Sequence, residues 1–384
     1  MRYNQDWSYH NPVNVIFGPG TLDDLATHLP IAEEQPGSGL IVTSAGFTVR
    51  GLTEKIKSLF KNRPLEIIDD VRPNPDISAV EAYLSRLRGK NIKFIIGIGG
   101  GSVLDTAKTL SYLLNISDPR FSLKAHFTAQ QLLPETPPLQ MVAVPTTAGT
   151  GSEVTPFATI WDMANQKKYS LARPDLFPST ALLDPELTLT LPEEITVTTA
   201  LDVLSHALES VWNHNASPLT LNLAARAVDL VLSALPRILA DPQNLDHRSQ
   251  MLTASLFGGI CISSTRTALA HSMSYPITAA LGAPHGLACG FTLQALLEFN
   301  TGSDDDGRFK FVARMAGFDT VQELSEKISE VYELAGVKDL MAKYKITAEN
   351  ILNLTSEMFT PERAGNNLRI VNPDDVKEIL KSSF

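Results

Sequence analysis

The chain has 384 residues, 43% of them hydrophobic and 19% charged, with a formal net charge of −10 at pH 7. That is the balance of a globular chain long enough for two domains. The acidic surplus argues against docking on a nucleic-acid backbone or an anionic membrane surface.

The longest apolar runs, FIIGIGGG and MVAVP, are too short and too rich in glycine or proline to span a bilayer. The stretch MRYNQDWSYHNPVNVIFG has no charged region followed by an apolar core, so no secretory signal is expected. Cys261 and Cys289 cannot build a disulfide framework, which points to the cytoplasm.

In chain order, β-rich runs at 14–18, 39–44, 65–70, 93–100 and 140–147 alternate with the helical patterns TLDDLATHL, VRGLTEKIKSLF, ISAVEAYLSRLRG and SVLDTAKTLSYLLN. Alternation of this kind predicts a parallel sheet covered on both faces, with ligands at the carboxyl ends of its strands. The proline-rich stretch 172–192 reads as a connection. Beyond it, PEEITVTTALDVLSHALESVW, SPLTLNLAARAVDLVLSALPRILAD, HRSQMLTASLFGGICISS and DTVQELSEKISEVYELAG are all helical in period, with no strand among them. The expected organisation is an α/β dinucleotide-binding domain over 1–190 and an all-helical metal-binding domain over 191–384.

Four residues stand out as chemistry. Asp202 and His206 are four apart on a helical pattern, one turn apart on one face. His271 and His285 follow. One carboxylate and three imidazoles make a donor set for a divalent transition metal, Fe²⁺ or Zn²⁺, with room for a substrate oxygen. Taken singly, each has a plainer reading: a surface hydrogen-bond pair, a core histidine, a histidine in a turn. Cys289, four residues after His285, reads as a small buried hydrophobe rather than a ligand.

Two loops suit a nucleotide. KFIIGIGGGSVLDTAK passes from a buried strand through Gly99, Gly100, Gly101 and Ser102 into a helix, whose start offers free N–H groups to a pyrophosphate. Asp105 and Lys108 would flank it. PTTAGTGSEVT offers the hydroxyls of Thr146, Thr147 and Ser152 among glycines.

Together FGPGTLDDL, VRPNPD, GGGSVLDTAK, PTTAGTGSEVT and the four candidate ligands resemble the iron-containing (group III) alcohol dehydrogenase family nearly end to end. The resemblance implies the dehydroquinate synthase-like fold, a homodimer, and a metal in a cleft facing NAD(H) or NADP(H). It carries Asp202, His206, His271 and His285 over as metal ligands and Gly99, Gly100, Gly101 and Ser102 as the phosphate turn. Thr146, Thr147 and Ser152 would lie along the nicotinamide, with Ser44, Asp105 and Lys168 completing the cofactor set.

Three departures from the family pattern carry further expectations. Ser44 stands where many members have an Asp that would repel a 2′-phosphate, with Gly46 leaving space and Arg50 supplying charge, so NADPH should be accepted. Tyr275 replaces a second histidine after His271; it is expected to shape the pocket or orient water, with a packed aromatic as the alternative. Arg266 lies in an otherwise uncharged stretch, where a buried guanidinium would need an anion. The run STRTALAHSMSYP resembles the family's phosphonoacetaldehyde (hydroxyethylphosphonate) and sulfoacetaldehyde reductases, whose substrates have anionic heads. Arg363, Asn366, Asn367, Arg369 and, more weakly, Arg173 are further candidates for that cleft.

The expected activity is reversible hydride transfer between NAD(P)H and a small aldehyde with an anionic head, such as phosphonoacetaldehyde, with no nucleic-acid or membrane partner. A dehydroquinate-synthase-like lyase, a glycerol dehydrogenase-like polyol oxidoreductase and a non-catalytic nucleotide- or metal-binding protein are the alternatives.

Overall fold

The computed structural model describes residues 6–29, 37–60, 63–165, 167–304 and 306–384. The chain divides into an α/β unit of Asn11–Thr146 and Ser152–Leu187 and a helical unit of Thr188–Phe384 together with Thr147–Gly151 and the described residues before Asn11.

The strands of the α/β unit are β1 (Asn14–Phe17), β2 (Ser38–Val42), β3 (Leu65–Ile68), β4 (Ile92–Gly99), β5 (Gln140–Pro145), β6 (Phe157–Asp162), β7 (Lys167–Ala172) and β8 (Thr180–Leu183). Six of them make one parallel sheet in the order β1-β8-β5-β4-β2-β3. Successive side chains of a strand point to opposite faces. Phe94, Ile96 and Ile98 of β4 accordingly join Ile41, Val142, Val144 and the helical residues Leu22, Leu25 and Ile56 in one core. Ile95 joins Leu40, Val42, Met141 and Ala143 in the other, with residues of the helices Ile77–Leu87 and Gly101–Leu113. Both faces are covered at the centre of the sheet, which is why the interiors of β2, β4 and β5 read as apolar runs.

β1 to β5 fall on the expected runs. The other three strands are not anticipated by the sequence pattern, and the stretch read as a plain connection contains β8. Four residues between prolines carry too little period-2 signal to be seen, yet Thr180–Leu183 is fully buried between β1 and β5. Its strand character comes from its neighbours. β6 and β7 form a separate antiparallel hairpin, with Trp161 opposite Lys168.

In the helical unit the expected helices appear as Glu193–Val211, Pro218–Ala240, Leu245–Thr265 and Val321–Leu334, and its described residues contain no strand. Local chemistry sets several starts. Ser217 and Thr220 form a capping box around Pro218, and the Asn244 and Thr320 side chains accept from the first turns they precede. The helix Glu193–Val211 is buried almost all round from Thr196 onward, so any polar residue it carries must find partners inside the unit. No helix among the described residues is long and apolar enough to cross a membrane.

Candidate metal centre and nucleotide turn

Asp202, His206 and Glu209 occupy positions i, i+4 and i+7 of the helix Glu193–Val211, so all three point the same way. Each is at most 4% exposed. The helix Leu269–Leu281 brings His271 in its first turn, and the short helix His285–Gly290 begins with His285. Glycine makes the second approach possible. A Cβ on Gly286 would stand 1.9 Å from the Thr198 carbonyl oxygen and 2.9 Å from Asp202 Cβ, and one on Gly290 would stand 2.7 Å from Leu201 Cβ.

The four predicted ligands lie close together, but His206 is not among the residues whose donor atoms all lie within 4.8 Å of one another. His206 Nε2 lies 3.5 Å and His271 Nε2 3.7 Å from Asp202 Oδ1. The His206 and His271 rings stack at 4.9 Å, and the His285 ring stands edge-on to His271 at 5.1 Å. Cys289 belongs to the group as well: one donor atom from each of Asp202, His271, His285 and Cys289 lies within 4.8 Å of every other. Glu209, absent from the predicted set, holds His271 from behind. Its Oε2 is 2.6 Å from His271 Nδ1, and its Oε1 accepts the His271 backbone N–H at 3.1 Å. The signal that could have found it is its place seven residues after Asp202 on a largely apolar helix.

The charges reflect this packing. Burial alone would raise the Asp202 carboxyl, but the imidazoles of His206, His271 and His285 hold it well below the usual carboxylate range. Burial pushes the His206 imidazole down to about 4 against the pull of Asp202. Burial also opposes charge on His271, yet Cys289, Glu209 and Asp202 around it raise its pKa well above the ordinary value. Glu209, despite its burial, is held below its usual pKa by His271. An ionised carboxylate only accepts, so Nδ1 of His271 carries the hydrogen that faces Glu209.

Asp202 Oδ1 and His271 Nε2 are both buried without a hydrogen-bond partner. Unpaired polar atoms are costly in a dry interior. A divalent cation bound by both would satisfy them, and the surrounding oxygen and nitrogen donors suit Fe²⁺ or Zn²⁺. The residues present therefore fit a metal.

Tyr275, one turn after His271, stacks its ring on His285 at 5.9 Å, and the Arg363 guanidinium lies 4.5 Å from the centre of the same ring. The other candidate residues have partners of their own. Asn366 donates to the Thr267 carbonyl, Asn367 to Asn300 and the Arg369 carbonyl, and Arg369 to the Phe299 carbonyl while covering its ring. Arg173 is tied to Asp175, Tyr112 and the Pro134 and Thr136 carbonyls.

Arg266 departs from expectation: it is exposed rather than buried. Neighbouring atoms still desolvate its guanidinium enough to lower its pKa. It ends the helix Leu245–Thr265 with φ 65° and ψ 175°, a region that normally needs glycine. Its carbonyl accepts from Asn213 and Thr265. The premise of a fully buried guanidinium requiring an anion does not hold for it.

In the α/β unit, β4 ends at Gly99 and the helix Gly101–Leu113 follows, capped by no side chain. Its first N–H groups lack intrahelical acceptors. A Cβ on Gly99 would come 2.6 Å from Val103, so this tight turn has no room for a side chain. Ser102 Oγ accepts the backbone N–H of Asn74, which joins the turn to VRPNPD. The Thr146 N–H donates to the Gly99 carbonyl. Asp105 accepts from Ser152 Oγ at 2.6 Å and from the Thr159 N–H at 2.8 Å, and stands 3.4 Å from Lys108 Nζ. Lys108 donates to the Ser152 and Phe157 carbonyls and to Thr155. Asp105 and Ser152 thus brace the turn through each other. Ser44 precedes the helix Ala45–Val49, and Arg50, just past its end, folds back over Phe47 at 4.5 Å. Lys168 lies over the Trp161 ring at 5.5 Å.

Thr147 belongs to the helical unit. There its loop is seated by glycines: a Cβ on Gly149 would meet Thr199 at 2.7 Å, and one on Gly151 would meet Gly259 Cα at 2.3 Å.

Between them the two units supply the parts of a nucleotide-dependent metalloenzyme, and known proteins narrow that class. Residues 12–185 match the iron-containing alcohol dehydrogenase family, and residues 196–384 match the C-terminal part of the Fe-containing alcohol dehydrogenase family. The chain belongs to the iron-containing alcohol dehydrogenase family. It is 35% identical to phosphonoacetaldehyde reductase of Streptomyces viridochromogenes over 67% of this chain and 66% of that one, just under two thirds of the relative. It is 30% identical to an alcohol dehydrogenase of Thermococcus barophilus over 96% of this chain and 97% of that one. Among solved structures it is similar to sulfoacetaldehyde reductase from Bifidobacterium kashiwanohense in complex with NAD⁺, at 30% identity and a TM-score of 0.88 over 99% of both chains.

Proposed function

We propose that this protein reduces a small aldehyde with an anionic head, phosphonoacetaldehyde or sulfoacetaldehyde, using NADPH or NADH. We place it in the cytoplasm, as the homodimer its family resemblance implies. The observation that carries the substrate reading is the stack of Arg363 on Tyr275 on His285. It holds a guanidinium close to the predicted metal donors, where a phosphonate or sulfonate could take fork-like hydrogen bonds. Two relatives, a phosphonoacetaldehyde reductase and a sulfoacetaldehyde reductase, support the same chemistry. Arg266, being exposed, is the second candidate for that role.

Asp202, His206, His271 and His285 would hold the divalent cation. Bound there, it would supply Lewis acidity, withdrawing electron density from the aldehyde carbonyl during hydride transfer from the nicotinamide. Glu209 keeps the His271 ring oriented. The Tyr275 ring walls the site beside His285, and its hydroxyl can donate a hydrogen bond. The uncapped N–H groups at Gly101 and Ser102 would receive the cofactor pyrophosphate. Ser44 places no negative charge beside the ribose, and a Cβ at Gly46 would stand 3.7 Å from Arg50 Nη1. That puts a cation near Ser44, which supports use of NADPH.

The test is NADPH oxidation by the iron-loaded protein with phosphonoacetaldehyde, sulfoacetaldehyde and succinic semialdehyde against propanal and butanal. The anionic compounds should show the higher kcat/KM. Equal values for the uncharged aldehydes would remove the substrate assignment, and a strong preference for NADH would remove the cofactor assignment.

A further inference from the structure

Cys289 sits where a packing cysteine would not need to be. It is fully buried, but its neighbours are polar: Sγ is 3.7 Å from His285 Nδ1 and 3.8 Å from His285 Nε2. The two residues are four apart on the helix His285–Gly290, which puts them on one face. Gly286 and Gly290 let that helix lie against Asp202 and Leu201.

We propose, on the strength of the metal-centre reading above, that Cys289 Sγ is a fifth protein donor at this centre. The site then has two overlapping donor sets. Asp202, His206, His271 and His285 offer one oxygen and three nitrogens. Asp202, His271, His285 and Cys289 offer one oxygen, two nitrogens and one sulfur.

Geometry supports the second set directly. Its four donor atoms lie within 4.8 Å of one another. Tetrahedral zinc, with bonds of about 2.0–2.3 Å, places its donors about 3.3–3.8 Å apart. The contraction needed is therefore small. The cluster also holds two buried atoms without partners, Asp202 Oδ1 and His271 Nε2, which lie 3.7 Å apart. One cation would satisfy both, and this argument for a ligand is independent of the cysteine. When the metal–sulfur bond forms, the thiol proton leaves for solvent and the sulfur binds as thiolate.

The two sets differ in softness. Oxygen and imidazole nitrogen accept iron and zinc alike, whereas thiolate favours zinc and other soft cations. Cys289 thus biases the centre toward Zn²⁺ and away from the Fe²⁺ that the first set would hold.

The experiment uses the full chain loaded with Co²⁺, with metal content measured by mass spectrometry. The wild type should show a sulfur-to-cobalt charge-transfer band in the near ultraviolet. Cys289→Ser and Cys289→Ala should lose that band while still binding Co²⁺. Their Zn²⁺ affinity should fall by at least the roughly tenfold typical of losing a supporting partner, with Fe²⁺ affinity less affected. Bound Co²⁺ with ligand-field absorption but no charge-transfer band would overturn the cysteine assignment and leave the four-donor centre standing. Failure to bind Co²⁺, or binding unchanged by His271→Ala, would overturn both.

Discussion

Glu209 grips His271 twice, once through the ring at 2.6 Å and once through the backbone N–H at 3.1 Å. The same carboxylate therefore fixes the start of the helix Leu269–Leu281 and the rotation of the imidazole on it. Buried partners of this kind orient a ligand and raise its basicity. Glu209→Gln, which keeps the shape but can turn a donor toward Nδ1, should lower metal affinity roughly 10- to 100-fold in chelator competition. Unchanged affinity with an unchanged circular dichroism spectrum would show that Glu209 serves packing alone.

Gly286→Ala places a methyl group 1.9 Å from the Thr198 carbonyl oxygen. The backbone must move, and His285 with it. Overpacking of this sort costs about 1–3 kcal/mol. The variant should show a lower Tm and a reduced metal content; native values of both would contradict the close approach of these two helices.

Arg363 and Tyr275 can be separated by kinetics. Arg363→Ala should lower kcat/KM for an anionic aldehyde by about 10- to 100-fold, the worth of a hydrogen bond to a charged group, and change it little for propanal. Tyr275→Phe keeps the ring stack and removes only the hydroxyl. If kcat and its pH dependence survive that change, Tyr275 acts as a wall.

Arg266 adopts a backbone conformation that glycine tolerates better. Arg266→Gly should raise stability by about 1 kcal/mol, the lower end of what such a conformation costs. A fall in Tm would mean that the exposed side chain contributes more than the backbone loses. Comparing anionic and neutral aldehydes in the same variant tests its role in substrate recognition.

Glu153 gives a pH signature in the α/β unit. Burial raises its pKa from 4.5 to about 7, and a backbone hydrogen bond and then the Lys108 charge oppose that rise only in part. The folded state therefore binds the proton more tightly than the unfolded chain. The resulting stability is complete below about pH 4.5 and is lost as pH rises through about 7. Glu153→Gln should flatten this part of the profile in urea unfolding between about pH 5 and 8, with a gain on the order of a few kcal/mol at the upper end. A parallel decline in both proteins would assign the slope to another group.

Much of the fold is legible along the chain because each signal is local. The interiors of β2, β4 and β5 are apolar, as strands buried on both faces must be. The helix Glu193–Val211 announces itself by its period, and with it the one-turn spacing of Asp202 and His206. β8 is not legible, because four residues are too few to show a period and its identity depends on lying between β1 and β5. Glu209 is missed for a related reason. A glutamate near the end of a helix usually faces water, and only the arrival of His271 explains its burial.

Residue identity, local spacing and the order of motifs along the chain were enough to suggest the family, the alternation of strands and helices, and candidate side chains for a metal and a nucleotide. Three-dimensional packing alone brought Arg363 to Tyr275, set Glu209 behind His271, and placed Cys289 beside Asp202, His271 and His285. These are meetings between helices far apart along the chain. They depend on side-chain packing and on glycines that permit close approach, and no local periodicity encodes them.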